Sequence, residues 1–314
     1  MTHTTRRRFL IQSAATAAGA TFWPALRPLF AATSLPNIAF PTEPRERISI
    51  ASYPFRDFVA GRKDGEGGGK IEIKDFAAHV AEKFGVKKIE PWSEHFRSLD
   101  ARYLGQIRAG VKAAGGAIVN VAVDGEHSPY AADKAERDAA VAFSKQWLDA
   151  AVLLGSPSIR TNMSKAKDSE PDVERATESF SRVAEYAATR NIVVNMENDN
   201  PVSEDPFFIV KVIEKVNSPW LHALPDFANT LTTGREEHAY SGIKEMYAHA
   251  YNISHVKALE VNEKGQAFHV DMAKTFGILK DAKYKGYCSM EFDSPGDPYK
   301  GTAELIETTL KYLT

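Results

Sequence analysis

Three carboxylates and one imidazole stand at corresponding places along this chain. Glu197 closes the apolar stretch 192–196, Asp226 follows the stretch 221–225, His255 lies within "ISHVK", and Glu291 lies within "YCSMEF". Each stretch has the β-branched or apolar make-up of a buried strand. Carboxylates brought close together repel, and each then resists ionisation. A divalent cation removes that conflict. Three oxygen donors with one imidazole suit Mn²⁺, Mg²⁺, Co²⁺ or Zn²⁺ better than a soft metal, and the lack of a cysteine ligand speaks against a structural zinc. Each residue also has a plainer reading. A lone strand-end glutamate is often solvated, Asp226 can cap a following helix, and His255 can be a hydrogen-bonded core histidine. Four such residues on consecutive strands favour the metal.

Such a cluster needs strands that deliver it to one rim. Eight strand candidates occur at 48–53, 86–91, 117–123, 157–161, 192–197, 221–226, 253–258 and 287–292. Stretches with helical periodicity lie between them, among them 75–85, 101–114, 133–154, 172–190, 206–216, 270–282 and 301–313. Asp100 and Asp133 can start helices, and Gly85, Gly115 and Gly155 stand where helices should stop. Eight βα units predict an α/β fold closed as a (β/α)8 TIM barrel, with its site at the C-terminal ends of the strands. A doubly wound open sheet would need a phosphate-binding glycine loop after an early strand. The only glycine cluster, "GEGGGK" (65–70), has no following Ser or Thr and no strand feeding it, and reads as a flexible loop. Side chains two apart on a strand share a face, so Asn195, Glu197 and Asp199 belong together, as do His255 with Lys257 and Glu291 with Asp293. His222 shares Asp226's face but lies deeper, where a structural role is expected.

The chain has 314 residues, 43% of them hydrophobic, and a formal charge of −2. That is ample for a core, and it gives no basic surface for nucleic acid or an anionic membrane. The organisation expected is a leader over 1–34, a Pro-rich linker over 35–47 and one barrel over 48–314. "TRRRFL" (5–10) followed by an apolar, Ala-rich run resembles a twin-arginine export signal. The run is too short to span a bilayer. Removal of Arg6, Arg7, Arg8 and Arg27 with the leader would take the charge from −2 to about −6. A periplasmic or secreted protein is the expectation, with no membrane attachment after processing. Cys288 is the single cysteine, so no internal disulfide forms and the core alone must stabilise the fold.

The chain resembles the sugar phosphate isomerase/epimerase group of xylose isomerase-like TIM barrels. The likeness runs over about residues 48–313 and rests on "SYPFRDF" (52–58), "KIEPWSEHF" (88–96), "NMENDN" (195–200), "LPDFANT" (224–230), "ISHVK" (253–257) and "GYCSMEFD" (286–293). The resemblance implies one divalent ion, commonly Mn²⁺, held by Glu197, Asp226, His255 and Glu291, with Glu197 and Glu291 also moving protons. It implies a small carbohydrate substrate and proton transfer beside a carbonyl through an enediolate. Around the metal, Tyr53, Phe55 and Trp92 are candidate walls for a sugar ring. Glu90, His95, His127, Arg160 and Lys257 are candidate hydroxyl or enolate contacts, and a Schiff-base role for Lys257 is the aldolase-type alternative. Two departures stand out. Asn229, itself a candidate substrate contact, occupies a position where sugar epimerases of the group often have histidine, and the stretch after His255 lacks their arginine. Endonuclease IV relatives use many more histidine ligands, whereas this chain has nine His in all, with His3 in the leader. An alternative activity is β-elimination from a 3-keto-glycoside, O- or C-linked, and another is a non-catalytic secreted sugar-binding barrel. The sequence is compatible with a homo-oligomer.

Overall fold

The structure, a computed structural model, describes residues 35–61 and 69–314. The leader expected over 1–34 and most of the glycine cluster (65–68) lie outside the described residues.

Eight parallel staves form the centre. They are β1 (Ile48–Ala51), β2 (Lys88–Glu90), β3 in two pieces (Ala117–Ile118 and Val121–Val123), β4 (Ser158–Thr161), β5 (Val193–Glu197), β6 (Leu221–Leu224), β7 (Ile253–Val256) and β8 (Tyr287–Met290). One arc pairs in the order β2, β1, β8, β7, and the other in the order β3, β4, β5, β6. Ile89 pairs with Ile118 and Trp92 bridges Ala122, which joins the arcs on one side. Asp226 bridges His255 and Ala223 bridges Ala250, which joins them on the other. The closed ring is the expected barrel, and each stave falls within its expected stretch.

Helices α1 (Phe76–Phe84), α2 (Ala101–Ala113), α3 (Lys134–Leu154), α4 (Val173–Arg190), α5 (Pro206–Val216), α6 (Glu236–His249), α7 (Met272–Asp281) and α8 (Pro298–Leu313) follow the staves in turn. Their buried residues recur at helical spacing, as with Ala176, Phe180, Val183, Ala184 and Ala187 of α4. The carboxylates of Asp133, Asp172, Asp205, Asp271 and Asp297 accept first-turn backbone N–H groups. Asp100 starts α2 without doing so and accepts the Ser98 hydroxyl instead. Gly85 and Gly155 end helices with φ of 64° and 77°, which glycine adopts freely.

Three features differ from expectation or go beyond it. Helix α6 occupies a stretch outside those named above, and its buried Ala239, Tyr240, Ile243, Met246 and Tyr247 recur at helical spacing. A two-stranded hairpin, Leu259–Val261 with Ala267–His269, stands between β7 and α7 outside the barrel. Its strands are too short to show alternation, and its turn is set by Asn262, whose side-chain oxygen accepts the N–H groups of Lys264 and Gln266. Residues 35–47, expected as a linker, are tied to the N-terminal mouth of the barrel. Phe40 packs edge-on against Tyr251 and Tyr287, at 5.4 and 6.2 Å between ring centres. The Tyr251 hydroxyl donates to the Pro36 carbonyl and accepts from Ile38 N–H.

Apolar packing fills the layer between barrel and helices. The middle of the barrel interior is polar instead. Asn120, Ser158, Asn195 and Asn252 are all completely buried there and bond to one another. Ser158 donates to Asn120, Asn252 to Ser158 at 2.8 Å, and Asn195 to Asn252 at 3.1 Å. Buried amides must be satisfied, and this ring of them supports the polar groups above it. Among the described residues no helix is long and apolar enough to cross a membrane.

Candidate metal centre

The C-terminal ends of β5 to β8 bring Glu197, Asp226, His255 and Glu291 together. One donor atom from each lies within 4.8 Å of the others, and all four residues are buried. His255 Nδ1 is 2.7 Å from Glu197 Oε1 and 3.2 Å from Glu291 Oε2. Asp226 divides its work between its two oxygens. Oδ1 accepts the backbone N–H groups of Ala228 and Asn229, capping the 3-10 turn Asn229–Thr233. Oδ2 is buried and has no hydrogen-bond donor. A buried carboxylate oxygen with no hydrogen bond, Lys257 Nζ standing 3.8 Å away, beside two further carboxylates and an imidazole fits a hard divalent cation. Ligands of one ion, at bonds of roughly 2.0–2.2 Å, stand about 3–4 Å apart, and the donor atoms here, all within 4.8 Å of one another, lie near that spacing.

The electrostatics fit the same reading. Burial pushes the Asp226 carboxyl up to about 7, with Lys257 pulling against it and Glu197 and Glu291 adding to it. Burial favours a neutral His255, but Glu197, Glu291 and Glu90 outweigh it and hold the ring charged well above its ordinary value. Without an ion, therefore, protons and the His255 charge balance the clustered acids. A cation would replace both.

Glu90 lies beneath His255 with no exposed surface. Its oxygens stand 3.0 and 3.1 Å from His255 Nε2 and accept from Ser289 Oγ at 2.6 Å and Asn120 Nδ2 at 2.7 Å. A carboxylate on Nε2 keeps the proton there and leaves Nδ1 facing the cluster, the outer-sphere arrangement that orients histidine ligands. Burial raises the Glu90 carboxyl, but the His255 charge and these hydrogen bonds outweigh it and keep the group ionised. Through Asn120 the same carboxylate joins the amide ring in the barrel middle.

A cavity of about 180 Å³ opens above Glu197 and Glu291. Tyr53 and Trp92 form its apolar side, edge to face at 5.0 Å. Trp92 Nε1 donates to Asp124 at 2.7 Å, which fixes the indole plane. Arg160 lies 2.7 Å from Asp124 and 2.9 Å from Glu197 Oε2. Lys257 donates to Asn229 at 2.9 Å and lies 3.1 Å from Glu260 and 3.2 Å from Glu291. Burial would discharge Lys257, but Asp226, Glu291 and Glu260 hold it charged. Asn229, which stands where histidine was noted, spends its side chain on Lys257 and its N–H on Asp226.

Of the residues expected around the metal, Tyr53, Trp92, Arg160, Asn229 and Lys257 line this cavity. Four others do not. Phe55 is fully buried against Phe76, Phe84 and Tyr299 in the outer layer, because the 3-10 turn Tyr53–Phe55 directs it away from Tyr53. Glu90 is sealed under His255. His95 is buried, bonded to Ser52 Oγ at 2.8 Å, and faces the edge of Trp92. His127 pairs with Glu136 at 3.1 Å beside a separate small cavity near α3 and α4. His222 stacks on Tyr251 near the barrel floor and has a structural place. Asp124, Asp199, Glu260 and Asp293 line the cavity without having been singled out. Asp199 and Asp293 were legible, since each shares a strand face with a member of the cluster two residues earlier. Glu260 was not, because it rides on the unexpected hairpin.

A parallel (β/α)8 barrel with a carboxylate–histidine cluster at its C-terminal rim defines the class. The xylose isomerase-like TIM barrel model matches residues 78–313, and the chain belongs to that family. No curated protein matches the sequence. Among solved structures, the chain is similar to D-allulose 3-epimerase from Methylomonas sp. (16% identity, 88% of this chain and 100% of that one, TM-score 0.65). It is also similar to 3-keto-D-glucoside 4-epimerase from E. coli (14%, 84% and 98%, TM-score 0.62). A third is a xylose isomerase-like TIM barrel protein from Mycobacterium smegmatis in complex with magnesium (18%, 85% and 96%, TM-score 0.62). At these identities the likeness is one of fold.

Proposed function

We propose that this protein is a divalent-metal-dependent carbohydrate isomerase or epimerase. The observation that carries the reading is the placement of Glu197 and Glu291 on either side of His255, both facing one cavity. Two of the similar structures are sugar epimerases by name, which supports the same class. Glu197, Asp226, His255 and Glu291 would hold the ion, with Mn²⁺ first and Mg²⁺, Co²⁺ or Zn²⁺ as alternatives. Such an ion polarises a carbonyl and acidifies the neighbouring C–H bond.

The chain's own groups supply the rest. One of the two glutamates takes the proton from the carbon beside the carbonyl. Return by the other to the opposite face of that carbon gives the epimer, and return to the adjacent carbon gives the isomer. Arg160, anchored by Asp124, holds Glu197 Oε2 and so fixes the position of Oε1. The Lys257 ammonium sits beside Glu291, where oxygen charge develops in the enediolate, and stabilises it electrostatically. Tyr53 and Trp92 give a sugar ring an apolar face to lie against and keep water from one side. The leader pattern supports a place of action outside the cytoplasm, which cell fractionation would test.

The test is C–H exchange. Protein loaded with Mn²⁺ is incubated with ketoses in D₂O and followed by NMR. Deuterium entering beside the carbonyl, and its loss in Glu197→Gln and Glu291→Gln, is the expected result. Deuterium entry together with release of a β substituent would mark elimination. Absence of exchange with every ketose would overturn the reading.

A further inference from the structure

We infer that the substrate is a carbohydrate of two joined units, with an uncharged reacting ring in the metal cavity and a second sugar unit in the groove beside it. This rests on the proposed carbohydrate activity and names its substrate class. The size of the space is the first ground. The cavity over the ligands, about 180 Å³, is smaller than the roughly 300–1,000 Å³ of pockets for larger ligands, and suits one ring. It opens into a groove of about 750 Å³, which falls within that range. Asp199, Asn229 and Glu260 line both spaces, so the two are continuous.

The second ground is how the groove is built. One wall is the loop after β5, with Pro201 and Val202. The other is the hairpin after β7, with Val261 and Asn262, which packs on the 3-10 turn Asn229–Thr233 and takes no part in the barrel. The metal cluster does not need this hairpin as a ligand source, but it makes the groove. Val202 is 46% exposed there, a large apolar side chain that the protein leaves about half uncovered. The groove offers amides and a hydroxyl, from Asn200, Asn262 and Thr232, between these aliphatic groups, and no aromatic ring lines it. Hydroxyl-rich ligands are bound by such mixed linings, whereas a flat aromatic group would call for an aromatic partner.

The third ground is charge. The cavity holds two cations, and both are engaged: Arg160 by Asp124 and Glu197, and Lys257 by Glu260 and Glu291. Neither is left to take a phosphate or carboxylate. The groove lining carries Lys165 and Lys264 as well as Asp199, Glu260 and Glu263. In the metal cavity a phosphorylated ring would meet Asp124, Asp199, Glu260 and Asp293, so the reacting unit carries no phosphate.

The experiment compares 3-ketoglucose, the disaccharide 3-ketotrehalose and phenyl 3-ketoglucoside with the full chain loaded with Mn²⁺. It reads kcat/KM for deuterium exchange and affinity by calorimetry, in wild type, Val202→Trp and Val261→Trp. Val202 is exposed, so a tryptophan there leaves the fold intact while filling the groove. The disaccharide should be preferred, and both variants should lower its kcat/KM and affinity roughly tenfold or more beyond any effect on the monosaccharide, as pocket changes of this size do. Exchange with equal efficiency on mono- and disaccharide, unchanged in ratio by both variants, would overturn the two-unit site while leaving the isomerase reading intact. Preference for the phenyl glycoside would overturn the second sugar. Selective disaccharide binding that Val202→Trp weakens, without exchange on any probe, would uphold the two-unit site and overturn the isomerase reading.

Discussion

Glu90→Gln separates two roles that the sequence alone could not tell apart. At the end of β2, Glu90 reads as a substrate contact, yet the structure seals it under His255. Its two oxygens serve three donors: Asn120 Nδ2, Ser289 Oγ and His255 Nε2. Glutamine keeps the shape but replaces one acceptor with an NH₂ group and removes the charge. That NH₂ then faces a donor, and the charge-assisted bond that orients the imidazole is lost. Removing an outer-sphere partner of this kind weakens metal binding roughly 10- to 100-fold, or about 1.4–2.7 kcal/mol. An unsatisfied buried donor adds about 1–3 kcal/mol of lost fold stability. Calorimetric titration of Mn²⁺ into chelator-treated protein reads the first quantity and thermal unfolding the second. The sugar KM, measured at saturating metal, should move little. Metal affinity within about twofold of wild type, together with a raised KM, would refute the outer-sphere role and restore Glu90 to the substrate.

Asp226→Asn should abolish stoichiometric metal, measured by elemental mass spectrometry, because the free Oδ2 becomes an amide nitrogen or the cap is lost; an unchanged metal content would remove Asp226 from the ligand set. Because the metal-free Asp226 carboxyl sits up near 7, a proton competes with the ion below that pH. His255, held charged well above its ordinary value, must also lose its proton to bind the ion, so apparent affinity should fall by more than about tenfold per unit below pH 7 and go on rising above it. For the metal-free fold the sign is opposite. Its folded-state value lies above the unfolded value of about 3.9, so stability is lost as pH rises between them and Mn²⁺ restores it, a pattern that melting curves at several pH values with chelator or metal would check. Phe40→Ala should lower stability by about 1–3 kcal/mol through lost packing on Tyr251 and Tyr287, whereas a free linker would give no change. Cys288 is fully buried and its thiol is pushed up to about 11 by burial, so it should resist a thiol reagent until the protein unfolds; rapid labelling of the native protein would contradict the packing.

The fold was written in local pattern. Each stave is a short apolar run and most helices carry a clean 3.6-residue period, so alternation of βα units was readable, and the handedness and pairing of such units leave the closed barrel as their natural end. The cluster of Glu197, Asp226, His255 and Glu291 was readable for the same reason, since a strand's end fixes where its last side chain points. The pattern failed at the hairpin, whose strands are three residues each. What lies around the ligands was decided only by tertiary structure. A 3-10 turn sends Phe55 outward while Tyr53 stays at the rim, and a hydrogen bond to Ser52 draws His95 inward. The hairpin brings Glu260 to Lys257 and raises the groove wall. Strand periodicity determines which residues share a face, but the partners that turn a shared face into a ligand, a prop or a wall come from distant segments. No spacing along the chain encodes the 165 residues between Glu90 and the His255 it supports.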